Sequence, residues 1–181
     1  MKKQLLIALV LIGSVFVSQA QNILRSMNGS LSFDCSTPGN EIAAINKTVV
    51  YALDKSTGEF TVAAPIKAFQ FKVSLLQEHF NENFLESDKF PKTSFKGKIT
   101  NLSEIKFDKD GTYKTTVSGQ LMIHGITNNI STTGTTTVKG KIVICHAIFT
   151  VSPKDYLIIV PVAYGSKMAK QTTITADVSF Q

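Results

Sequence analysis

The sequence has no tryptophan, two cysteines, three histidines and five prolines among 181 residues. Each scarcity closes a class of function. His79, His124 and His146 are the only histidines, and no two of them share a metal-ligand spacing. There is no Gly-x-Ser-x-Gly turn and no phosphate-binding glycine loop. The lysines are scattered, with no run of five, so a nucleic-acid patch is not supported. The longest uncharged apolar run, Leu5–Val17, is too short to span a bilayer as a helix. The Thr-rich stretch Ile130–Val138 holds no proline and does not read as a mucin-like stalk.

That apolar run has another reading. Lys2 and Lys3 precede it, and Val17-Ser18-Gln19-Ala20 follows it with mostly small residues. This is the pattern of a secretory signal cut between Ala20 and Gln21. Residues 1–20 are therefore expected to be a signal peptide and 21–181 one domain large enough for a core of its own, exported to a periplasm or secreted. The residue directly after the cut is Gln21 and not a cysteine, which argues against a lipid anchor. Removing Lys2 and Lys3 leaves 17 basic residues against 13 acidic ones, a net charge of +4. Mild attraction to anionic membrane surfaces is compatible with that balance. Export also permits a disulfide. Cys35 and Cys145 read either as a bridged pair or as two buried thiols packed as small hydrophobes.

The body of the chain reads as strands. Leu31, Phe33 and Cys35 alternate with Ser30, Ser32 and Asp34. Ile42–Asp54 places Val49, Tyr51 and Leu53 on one face. Glu59–Phe71 reads as one long strand, with Pro65 marking an edge or a bulge. Thr112–Gly125 is the longest alternation, with Tyr113, Thr115, Val117, Gly119, Leu121 and Ile123 facing one way. Gly125–Asn129 reads as a turn. Lys141–Val151 and Gln171–Phe180 are further strands, and Tyr156–Val162 is strongly apolar. About eight strands with frequent turns and no repeat predict an all-β fold, an antiparallel barrel or sandwich.

One insertion interrupts the strands. Leu75, Leu76, His79, Phe80, Phe84 and Leu85 follow a helical spacing, and Glu78, Glu82 and Glu86 line the polar side. Like charges at i, i+4 read as a solvated face rather than an acid–base site. Pro91 stops the helix. A single helix in an all-β chain is expected to cap one end. Catalysis finds no assembled set of groups: Cys145 and His146 are neighbours on a strand and must point to opposite faces.

Three segments carry a family resemblance: His79-Phe80, then Asp88–Phe95 with Phe90-Pro91 and Phe95, then Gly119–Thr127 with Leu121, Ile123, Gly125 and Thr127. Together they resemble the YceI-like family of exported, lipocalin-like proteins. The resemblance implies an eight-stranded antiparallel barrel with a lipophilic interior that holds an isoprenoid chain. It implies a carrier or sequestering role for an amphiphilic lipid of polyprenol or quinone type; with no assembled catalytic set in the sequence, no enzymatic activity and no cofactor are expected. On this reading Phe80, Phe84 and Leu85 close one end, Phe95, Leu121 and Ile123 line the interior, and His79 meets the ligand's head group. Composition alone leaves a second reading open. An eight-stranded barrel can be filled by its own side chains and act as a structural or interaction module.

Overall fold

The computed structural model describes residues 22–181. The expected signal peptide lies outside the described residues. Among the described residues nine strands form one antiparallel sheet: β1 (Ile23–Asp34), β2 (Ala43–Asp54), β3 (Glu59–Pro65), β4 (Gln70–Phe71), β5 (Lys92–Ile99), β6 (Gly111–Ile123), β7 (Ile126–Lys139), β8 (Ile142–Val151) and β9 (Thr172–Phe180). Their order is β1-β9-β8-β7-β6-β5-β3-β2-β4, and β1 also pairs with β2. That last pairing closes eight strands into a barrel and leaves β4 as a two-residue extension on β2. Closure removes the exposed edges that a long open sheet would present.

Proline breaks the segment read as one strand from Glu59 to Phe71. Strand β3 ends at Pro65, Ile66–Ala68 makes a short 3₁₀ turn, and only then does β4 begin. Asn46, wholly buried, fixes the break by donating to the Pro65 carbonyl at 2.8 Å. The β6–β7 turn is also tighter than expected. It is the two-residue turn His124-Gly125, with Ile123 already opposite Ile126. Both turn residues have positive φ, 51° and 75°, as a twisted hairpin of this length requires.

Register places both long connections at one end of the barrel. The insertion between β3 and β5 and the connection between β8 and β9 both leave and re-enter there. The first contains α1 (Ser74–His79) followed by a π-turn over Phe80–Phe84. The second is a strap holding a 3₁₀ turn, Pro153–Tyr156, and the short helix α2 (Val162–Gly165). The apolar run Tyr156–Val162 is thus not a strand. The opposite end carries the shorter connections, among them the 3₁₀ turn Leu102–Glu104 between β5 and β6, and it is more densely packed. Leu53, Ile99, Val138, Val143 and Phe180 are each at most 5% exposed there.

Candidate functional site: a half-hollow barrel

The capped half of the barrel is not filled. It encloses a cavity of about 220 Å³, where a single water needs about 10–15 Å³ on the same scale. The seven ligand-facing candidates, His79, Phe80, Phe84, Leu85, Phe95, Leu121 and Ile123, all line this one cavity. Leu75, read with the apolar face of the helix, is 55% exposed and does not.

Local sequence explains the cap. After His79 the helix widens, and the Leu85 amide bonds to the Phe80 carbonyl at 2.9 Å, an i+5 spacing. This π-turn keeps Phe80, Phe84 and Leu85 on the inner side. Single-turn π-insertions are frequent at functional sites. Phe80 centres an aromatic cluster, stacked on Phe33 at 5.2 Å, tilted against Phe71 at 5.1 Å and edge-on to Phe69 at 5.7 Å. Such pairs add about 0.5–1.5 kcal/mol each beyond area burial.

The strap supplies the other part of the cover, and sequence reasoning missed it. Ile158, Tyr164 and Met168 line the cavity. Tyr164 hydroxyl lies 3.0 Å from His79 Nδ1, and its ring meets Phe84 edge-on at 5.7 Å. His79 and Tyr164 thus form a hydrogen-bonded polar pair in a mostly apolar wall. The strap is tied down at both ends. Thr37 donates to the Lys167 carbonyl at 2.9 Å, and the Ala169 amide to the Cys35 carbonyl at 2.8 Å. At the other end Asn128 donates to the Asp155 carbonyl at 2.7 Å.

A gap in the wall explains why the strap begins with a buried tyrosine. Strand β7 pairs with β8 only from Gly134 to Lys139, so Ile126–Thr133 has β6 on one side and no strand on the other. Tyr156, 2% exposed, fills that gap against Phe95 and Leu121, and burial pushes its phenol pKa up. His124 links the two covers. Its Nδ1 faces the Tyr156 carbonyl at 3.2 Å and its Nε2 faces the Glu86 carboxylate at 2.7 Å.

A second, smaller cavity of about 50 Å³ lies deeper in the barrel. Phe60, Val117, Ala147 and Ala176 line both cavities and so stand between them. The polar groups of the small chamber satisfy one another. Thr115 donates to Thr136 at 2.8 Å, and Thr136 lies 3.7 Å from Cys145 Sγ.

The bridged alternative for the cysteines is corrected here. Both are free thiols. Cys35 follows Asp34, which is level with Thr173 on β9, whereas Cys145 is level with Val178. Five residues along a strand are about 17 Å, well beyond the roughly 7 Å limit for a bridge. Burial pushes each thiol pKa from 9.0 to about 11, helped at Cys35 by Asp34 and opposed at Cys145 by its bond to Thr136. At about pH 8 the native thiolate fraction falls about a hundredfold below that of an unperturbed thiol. Iodoacetamide should therefore leave both cysteines unmodified in the native protein and label both in guanidinium, read by intact mass. Because folding raises these pKa values, their stabilising contribution is whole below about pH 9. It is lost as the pH climbs towards 11. His146, beside Cys145, points outwards and meets Asp177 at 2.6 Å. Among the described residues no cluster of three or more metal-ligating side chains occurs.

Fold and cavity together define the class: a closed antiparallel barrel of lipocalin type with an apolar chamber under a helical cap. A family model described as the YceI-like domain matches residues 17–180, and the chain belongs to that family. Among solved structures it is similar to a polyisoprenoid-binding domain from Saccharophagus degradans implicated in plant cell wall breakdown. The TM-score is 0.75 at 8% identity, over 88% of this chain and 98% of that one. It is also similar to BcnA from Burkholderia cenocepacia, with TM-score 0.69 at 12% identity over 83% and 95% of the two chains. The YceI protein of Campylobacter jejuni gives TM-score 0.54 at 16% identity over 74% and 80%. No curated protein matches the chain.

Proposed function

We propose that this protein is an exported, non-enzymatic carrier or sequestering protein for an amphiphilic, isoprenoid-like lipid of polyprenol or quinone type. The observation that carries the reading is the hollow half of the barrel, mostly apolar, with the His79–Tyr164 pair and a few serines and threonines as its polar lining. An apolar chain placed there gains about 25 cal/mol for each Å² removed from water and needs no directional partner. His79 and Tyr164 suit the polar head at the covered end. The polyisoprenoid-binding description of the Saccharophagus degradans domain supports the same ligand class. A filled-core interaction module loses its premise, because the core is filled only at the far end. Catalysis has no support either: Cys145 is held as a neutral thiol facing inwards while His146 faces out.

Mass spectrometry of an organic extract from natively purified protein, expressed with export in its own host, tests this. A stoichiometric prenyl or quinone species is the expected result. No lipid, together with no uptake of a fluorescent prenyl probe, would remove the reading.

The strap also suggests where the ligand is exchanged. Its inner residues line the cavity, while Leu157, Ile159 and Val162 are 66%, 81% and 96% exposed beside Lys154 and Lys167. An apolar tip flanked by lysines suits brief contact with an anionic bilayer surface. Ile159→Asp combined with Val162→Asp should slow probe transfer to phosphatidylglycerol-containing vesicles at least about tenfold. Probe affinity in solution should stay unchanged.

A further inference from the structure

The geometry points to a length gauge inside the barrel: Phe60 and Val117, with Ala147 and Ala176, form a septum that stops the apolar chain of the ligand. This rests on the carrier reading and adds which ligands the chamber admits. The four residues come from different walls, β3, β6, β8 and β9, and all four border both chambers. Ala147 and Ala176 are cross-strand partners, so the β8–β9 side contributes little bulk. Most of the obstruction is therefore the Phe60 ring, which leans against Tyr51 with centroids 6.1 Å apart.

Tyr51 is an immovable backstop. It is 1% exposed, its hydroxyl donates to the Ser30 carbonyl at 2.7 Å, and its ring covers Gly29, where a Cβ would collide with it. Phe60 cannot swing deeper without displacing it. Beyond the septum the small chamber is dry in character, its hydroxyls already paired. A hydrocarbon chain that passed the septum would meet no unpaired polar group. The stop is steric rather than electrostatic, so trimming the septum should lengthen the accepted chain rather than change its chemistry.

All-trans prenyl alcohols of two to eight isoprene units, displacing a bound fluorescent fatty-acid probe, read the gauge. For the unaltered protein, affinity should rise with each unit until the large chamber is full and then stop rising. In Phe60→Ala the rise should continue for at least one more unit, gaining about tenfold where the unaltered protein gains nothing. Val117→Ala repeats the test with a smaller excision should Phe60→Ala fail to fold. Ala147→Phe, which thickens the septum, should move the limit to a shorter chain. An unchanged length profile in a folded septum variant overturns the gauge while leaving the carrier reading intact. No binding of any prenyl alcohol by the unaltered protein overturns both.

Discussion

Thr132→Phe combined with Ala176→Phe should abolish uptake of a prenyl probe and leave the barrel folded. Both positions face inwards, from β7 and β9, and both line the large cavity. Neither is fully buried, so each new ring has open volume in front of it. A phenylalanine buries about 150–250 Å². Two of them deny the ligand far more than the roughly 110 Å² of contact that corresponds to a hundredfold in affinity. Overpacking a full core costs about 1–3 kcal/mol, but here the rings enter a void, so stability should stay within about 1 kcal/mol. Fluorescence titration and a urea melt read the two quantities separately. Undiminished probe binding in a folded double variant would mean that the ligand sits outside the barrel.

The same two residues show what the sequence made legible and what it hid. Alternation along β6 put Val117, Leu121 and Ile123 on the inner face, and the structure places them there. Helical spacing likewise gathered His79, Phe80, Phe84 and Leu85. Periodicity reports which face a side chain takes, and a closed barrel has only two. It does not report whether the inner face is full. That depends on residue size at matching heights, which needs the register. The inward positions of the hollow half include Ala64, Thr132, Ala147 and Ala176, whereas the filled half stacks Leu53, Ile99, Val138, Val143 and Phe180. The signal was present but scattered over strands far apart in sequence.

Tyr164 was hidden for a related reason. It meets His79 from 85 positions away, just past the run Tyr156–Val162, which sequence marked only as strongly apolar. Alternation within that segment is real, since Tyr156 and Ile158 point in while Leu157 and Ile159 point out. The missing fact was that it lies against the unpaired stretch of β7 without making a backbone ladder with it. Pro65 was a different failure. The break it signals was read as an edge or a bulge in a strand that in fact stops there.

Gly119→Val should be the most destabilising single change in the wall of the site. Gly119 lies opposite Gly97 where β5 pairs with β6. A Cβ on Gly119 would run into the Gly97 Cα and the Lys96 carbonyl oxygen, both backbone atoms that no rotamer change can move aside. A Cβ on Gly97 would in turn strike the Phe95 ring. The glycine pair is thus the seat on which Phe95 lies, and Phe95 packs with Leu121 and Tyr156 where β7 and β8 part. Adding a branched side chain must separate β5 from β6 or lift Phe95 out of that cluster. Either costs about 3 kcal/mol or more, a fall in Tm of roughly 6–12 °C for a domain of this size. Thr133→Val, on the exposed face of β7, should stay within about 0.5 kcal/mol. A Gly119→Val protein that melts with the Thr133→Val protein would show that the two strands do not approach as closely as described. The septum and the Tyr156 plug would then need a different geometry, because both are positioned from the β6 backbone.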